Sequence, residues 1–162
     1  MIIGIMSDSH DNMNAIRYAV DFFNRKNVEI VLHAGDYVSP FTAQEFSKLK
    51  MKLIGVFGNN DGDKPYLLER FKKNIGEIKQ DFFELDLGGK KVVVMHQPKF
   101  IDQLLKDKKY DVVIYGHTHK IDIRKGSALV INPGECGGWL TGRSTVAILD
   151  TKNLIPEIID LS

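Results

Sequence analysis

Gly116-His117-Thr118-His119 sets two imidazoles one residue apart, directly after the apolar run Val112-Val113-Ile114-Tyr115. Imidazole is the commonest neutral metal ligand near pH 7. Two of them at the exit of a buried strand can serve two neighbouring points in space. Alone, such a pair is a weak signal, because polar residues collect wherever a strand gives way to a loop. The pair has company, however. Asp8 and His10 follow the apolar run Ile2–Met6, and Asp36 follows Val28–Leu32. Asn59 follows Leu53–Phe57, and His96 follows Val92-Val93-Val94-Met95. Seven donors therefore stand at five strand ends, and four of the chain's five histidines are among them. All offer oxygen or nitrogen and none offers sulfur.

The elements that must position these donors are legible from apolar periodicity. Ile2–Met6, Val28–Leu32 and Leu53–Phe57 read as buried strands. Each is followed by a helical pattern: one from Asn14, capped by Asn12 or Asn14, with Ile16, Ala19, Val20 and Phe23 on one face; one introduced by Ser39-Pro40, with Phe41, Phe46 and Leu49 inward; and one over Lys64–Lys73. A β-loop-α order repeated three times predicts right-handed crossovers and parallel strands, with loops gathered at their carboxyl ends. The rhythm then changes. Hairpins are expected at Phe82–Leu87 with Lys91–Met95, at Ile121–Arg124 with Leu129–Ile131, and at Val146–Leu149 with Leu154–Ile159. A short helix at Ile101–Lys106 and a strand at Asp111–Tyr115 lie between them. Ten strands exceed what one twisted sheet usually carries, so the expected class is α/β: a four-layer α/β/β/α sandwich of two mixed sheets, as one domain over 1–162.

Parallel strands bring their carboxyl ends together, so the seven donors should converge on one rim. That number is too large for one tetrahedral ion and suits two ions that retain water. Mixed imidazole and carboxylate donors favour Mn, Fe, Zn or Ni over Ca or Mg. Two ions about 3.5–4 Å apart serve phosphoester hydrolysis by in-line attack, with a bridging water as nucleophile. The ions also neutralise charge growing on the phosphate oxygens.

Asp8-Ser9-His10, Gly35-Asp36, Gly58-Asn59-Asn60-Asp61, His96 and Gly116-His117-Thr118-His119 together resemble the calcineurin-like metallophosphoesterase superfamily, in particular its small prokaryotic phosphodiesterase branch. Asn132-Pro133-Gly134 is similar to a loop of that branch. The resemblance implies the four-layer fold and a role for each donor. One metal would take Asp8, His10 and His119, the other Asn59, His96 and His117, and Asp36 would bridge them. Asn60, Asp36 and His96 are the implied catalytic group. The implied cofactors are two divalent transition-metal ions, Mn2+ or Ni2+ ahead of Fe or Zn. The implied substrate is a small phosphodiester.

Two residues depart from the family pattern. Asn60 stands where many members carry a histidine, and a carboxamide is no general acid near pH 7. A narrower catalyst that favours diesters with acidic leaving groups is therefore expected. Glu135 stands where the branch often has serine. At the rim it would repel a dianionic monoester more than a monoanionic diester, unless it faces solvent. Two alternatives stay open: a protein-binding scaffold that keeps the fold with little catalysis, and a phosphomonoesterase.

Composition bounds the rest. The chain has 162 residues and a formal net charge of +1, which gives no reason to expect a broad nucleic-acid surface. One cysteine, Cys136, excludes an intramolecular disulfide and fits a cytoplasmic protein. No signal peptide or apolar run of membrane-spanning length is present. Exposed hairpins leave a homodimer or higher homo-oligomer open. His33 reads as a buried supporting histidine rather than a ligand. Asp11 and Asp61 read as orienting ligand imidazoles or capping helices, Cys136 as structural, Trp139 as packing or interface, and Ser7 and Ser9 as loop residues rather than nucleophiles.

Overall fold

Ile2–Met6 forms the first strand, β1, and its alternation sets the layers. Ile3 and Ile5 point into one apolar core, whereas Met6 points into another. Gly4 lies on the Met6 side. A Cβ there would come within 2.7 Å of the Phe23 ring, so the helix α1 (Met13–Lys26) lies directly on β1. Asn12 caps that helix, its side-chain oxygen accepting from the Ala15 N–H at 3.1 Å.

The computed structural model describes residues 1–162. After α1 come β2 (Ile30–His33), α2 (Ala43–Phe46), β3 (Leu53–Val56), α3 (Lys64–Asn74) and β4 (Gly76–Lys79). The second half contains β5 (Phe82–Leu87), β6 (Lys90–Met95), α4 (Ile101–Asp107), β7 (Val112–Ile114), β8 (Ile121–Lys125), β9 (Leu129–Pro133), β10 (Thr145–Asp150) and β11 (Ile155–Asp160). One sheet has the order β11-β10-β1-β2-β3-β4, the other β5-β6-β7-β9-β8. Both are mixed: β1 to β4 are parallel neighbours, as are β6, β7 and β9, with antiparallel strands at the edges.

The core between the sheets joins Ile3, Ile5, Leu32 and Val56 to Val92, Val94, Val112 and Ile114. On the far side of the first sheet, Phe23, Phe46, Leu67 and Phe71 bring in α1, α2 and α3. On the far side of the second, Ile101 of α4 packs with Val93, Met95 and Val113. The four layers are therefore α/β/β/α, as the strand count suggests.

Three local expectations are corrected. Val28 is buried but precedes β2, its N–H bonding back to Phe23 at the end of α1. The second helix is shorter than its pattern. Pro40–Thr42 is a 3-10 turn, α2 spans four residues, and Phe41 is 76% exposed rather than inward. An eleventh strand, β4, extends the first sheet. Only Ile78 of its four residues is buried, so it has no run of apolar residues to announce it.

Candidate metal centre

In the first sheet, the register Met6↔His33 and His33↔Gly55 brings the loops after β1, β2 and β3 to one edge. β6 and β7 run parallel in the facing sheet and deliver His96 and the 116–119 loop to the same place. The donors converge. Asp8, His10 and His119 have ligand atoms within 4.8 Å of one another, and so do Asp8, Asp36 and His96. His10 Nε2 is 3.3 Å from His119 Nε2, and Asp8 Oδ1 lies 3.8 and 3.5 Å from these two nitrogens. Asn59 Oδ1 lies 2.8 Å from His96 Nε2 and 2.9 Å from His117 Nδ1. Asp36 Oδ2 stands between the two groups, 3.5 Å from His10 Nε2 and 3.4 Å from His96 Nε2. All seven residues singled out by position after a strand therefore meet.

The proton arrangement shows what this cluster suits. His96 Nδ1 is 2.8 Å from the Ala34 carbonyl oxygen, which can only accept, so Nδ1 carries the hydrogen. Its Nε2 then faces Asn59 Oδ1 and Asp36 Oδ2, two further acceptors. His119 Nδ1 similarly donates to Glu135 Oε2 at 2.8 Å, which turns its Nε2 toward Asp8 and His10. Acceptors facing acceptors are favourable only around a proton or a cation. Burial lowers the His96 pKa, but hydrogen bonding to Asp36 and the charges of Asp36 and Asp8 raise it by more. Burial likewise raises the Asp36 carboxyl, and hydrogen bonds from His96 and Asn60 outweigh that and hold it well below the usual range. Asp8 is raised, chiefly by burial. The donor set fits divalent ions of the Mn, Fe, Ni or Zn type.

Supporting residues fix this rim. Asp61 accepts from the backbone N–H groups of Asp36, Val38 and Gly58 at 3.2, 2.7 and 2.6 Å, so it anchors the Asp36 loop rather than an imidazole. Asp11 accepts from the Ser39 N–H and hydroxyl, tying two loops together rather than capping a helix. Asn60 donates to both Asp36 oxygens, from its backbone and its amide, each at 2.8 Å. Asn132 donates from Nδ2 to the Gly116 carbonyl and the Thr118 hydroxyl, each at 3.0 Å, and so braces the loop of His117 and His119. Gly116 itself is required there, because a Cβ would collide with the Ser7 hydroxyl. Trp139 is exposed and donates its indole N–H to the His10 carbonyl at 3.0 Å. Five of the seven donors, Asp8, His10, Asp36, His117 and His119, hold φ between 40° and 68°. Asp and His tolerate this left-handed region better than most side chains, and such backbone strain gathers at functional sites.

Glu135 is the residue whose role position alone did not disclose. It is 1% exposed and accepts from the Leu140 and Thr141 N–H groups as well as from His119. It does not face solvent, and its carboxylate is turned onto His119 and the two backbone N–H groups. Burial raises its pKa, and the Thr141 and His119 hydrogen bonds lower it by more, which keeps it ionised.

His33 is buried and is not in either donor group. Its Nδ1 accepts from the Gly35 N–H at 3.1 Å, so the ring is neutral with its hydrogen on Nε2, directed at the Ser9 hydroxyl 3.1 Å away. Burial drives its pKa down to about 3. The unfolded imidazole binds a proton below about 6.5 and the folded one does not until far lower. Stability from this group is thus full above pH 6.5 and falls as pH drops toward 3. Urea unfolding of metal-free protein should show a loss of ~2 kcal/mol from His33 between pH 7 and 5. In His33→Gln the pH 7-to-5 loss should be smaller; an unchanged loss would contradict the assignment.

Comparison with known proteins accords with this geometry. Residues 1–154 match the model of the calcineurin-like phosphoesterase superfamily domain, and the chain belongs to that superfamily. It is 45% identical over 156 residues to a phosphodiesterase of Methanocaldococcus jannaschii, covering 94% of each chain. A solved structure described as a novel archaeal phosphodiesterase superimposes with a TM-score of 0.93 at 42% identity, covering 99% of both chains. Vps29 of Entamoeba histolytica, solved with zinc, shares the fold alone, at a TM-score of 0.69 and 17% identity over 100% of both chains.

Proposed function

We propose that the chain is a phosphodiesterase that works with two divalent transition-metal ions. The observation that carries this reading is the Asp36 carboxylate, whose Oδ2 lies within 3.5 Å of imidazoles from both donor groups. Asp8, His10 and His119 would hold one ion, Asn59, His96 and His117 the other, and Asp36 both. When bound, the ions supply a water of lowered pKa and positive charge opposite the phosphate oxygens, with Mn2+ or Ni2+ as the proposed pair.

The chain's own groups do the rest. The Ala34 carbonyl and the Glu135 carboxylate each take the Nδ1 hydrogen of one ring, so Nε2 is the nitrogen that His96 and His119 turn toward the rim. Asn60 holds Asp36 in place, its backbone N–H and its amide each donating to one carboxylate oxygen at 2.8 Å. With no side-chain general acid at that position, the leaving oxygen must depart largely unprotonated. Diesters with acidic leaving groups are therefore the substrates of choice. The likeness to archaeal phosphodiesterase supports the same class. No helix is long and apolar enough to cross a membrane, and the free buried Cys136 is consistent with the cytoplasm.

The test is a substrate panel with Mn2+ or Ni2+. Bis(p-nitrophenyl) phosphate should be hydrolysed with a higher kcat/KM than p-nitrophenyl phosphate, and chelation should abolish both rates. Across aryl diesters, rates should fall steeply as the leaving-group pKa rises. A monoester preference, or turnover that survives chelation, would refute the reading.

A further inference from the structure

Beside the metal centre lies a cleft of about 380 Å³ that the chemistry above does not use. Asn59 and His96 belong to both, so the cleft begins where a phosphate held at the rim would end. Its other walls are unusual for a surface hollow. Phe82 and Phe100 line it while remaining 47% and 69% exposed. Phe100 is held there with φ 66° at the head of α4, a strained backbone for a bulky residue. Lys64 and Lys99 line the same space against one carboxylate, Asp81, and Lys64 Nζ stands 5.2 Å from the centre of the Phe57 ring. Gln80 and Gln97 add amides that can both donate and accept.

We infer that this cleft binds the nucleoside half of a nucleotidyl phosphodiester. This rests on the diesterase reading and names its substrate class. Open aromatic faces suit a planar base, which stacks whatever its sequence identity. The lysines suit a further phosphate or the sugar-phosphate edge, and the glutamines suit polar base edges. An alkyl ester group would leave the cations and amides unmatched, and a bare phosphate would leave both rings in water. The cleft is of the size that takes one small ligand rather than a duplex, in keeping with a net charge of only +1.

The deciding experiment compares two esters with one leaving group, thymidine 5′-(p-nitrophenyl phosphate) and methyl p-nitrophenyl phosphate, on the Mn2+-loaded protein. The nucleotidyl ester should have a kcat/KM at least about tenfold higher, as base stacking on an aromatic ring implies. Phe100→Ala and Lys99→Ala should each cut that ratio several-fold, mainly through KM, and Phe100→Tyr should restore it. In calorimetry, thymidine 5′-monophosphate should bind about tenfold more tightly than methyl phosphate, and Phe100→Ala should erase the difference. Hydrolysis of both esters with a ratio near one, or a ratio indifferent to Phe100→Ala, would overturn the cleft assignment and leave the diesterase reading standing. Failure to hydrolyse either ester would instead remove the diesterase reading, and the calorimetric comparison would still decide the cleft.

Discussion

Asp36→Asn should lower diesterase kcat/KM by about 10³-fold and strip metal from both halves of the centre. The replacement keeps the side-chain shape, and asparagine tolerates the φ of 61° that this residue adopts. It removes the negative charge that His10 Nε2 and His96 Nε2 share at 3.5 and 3.4 Å. The amide of Asn60 would then face a neutral carboxamide in place of a carboxylate. The measurement is metal content together with hydrolysis of bis(p-nitrophenyl) phosphate, with a circular-dichroism melt to show that the fold persists. Undiminished metal and activity would refute the proposal that Asp36 joins two sites.

Glu135→Gln should weaken one ion by about 10–100-fold and leave the other nearly untouched. Glu135 touches only the His119 side of the rim. Its carboxylate takes the Nδ1 hydrogen of His119 and is itself held by the N–H groups of Leu140 and Thr141. A glutamine can keep both backbone contacts through its carbonyl oxygen but presents an NH2 group and no charge to the imidazole, so His119 loses basicity and its fixed tautomer. Titration with Mn2+ should resolve two affinities in the variant, with activity tracking the weaker. Equal weakening of both ions would mean that Glu135 acts on the loop as a whole.

The seven donors were legible because each follows directly on a buried strand, and parallel strands must deliver such residues to one edge. Their division was less so. Sequence position says only that His117 and His119 share a loop; the family resemblance divides them, and the folded chain likewise sets His117 beside Asn59 and His119 beside His10. Glu135 was misread because its function depends on its meeting His119, 16 residues earlier in the chain, across a loop that turns it away from solvent. Asp61 and Asp11 suffered the same fate: their partners include backbone N–H groups of other loops, which no side-chain pattern reveals. In the fold, β4 has no apolar alternation because it is an edge strand with one buried residue. The second helix is cut short after Pro40, and Phe41, which helical periodicity placed inside, is left in solvent. The cleft between Phe82 and Phe100 joins a hairpin strand to the head of α4, so it had no sequence signature at all.

Metal stoichiometry tests the central claim most directly. Equilibrium dialysis against Mn2+ should give two ions per chain in the unaltered protein and one in each of His117→Ala and His119→Ala. Anomalous scattering should place the surviving ion near Asp8 and His10 in the first variant and near Asn59 and His96 in the second. One ion or none in the unaltered protein, or the same ion lost from both variants, would contradict a dinuclear centre built from these seven residues.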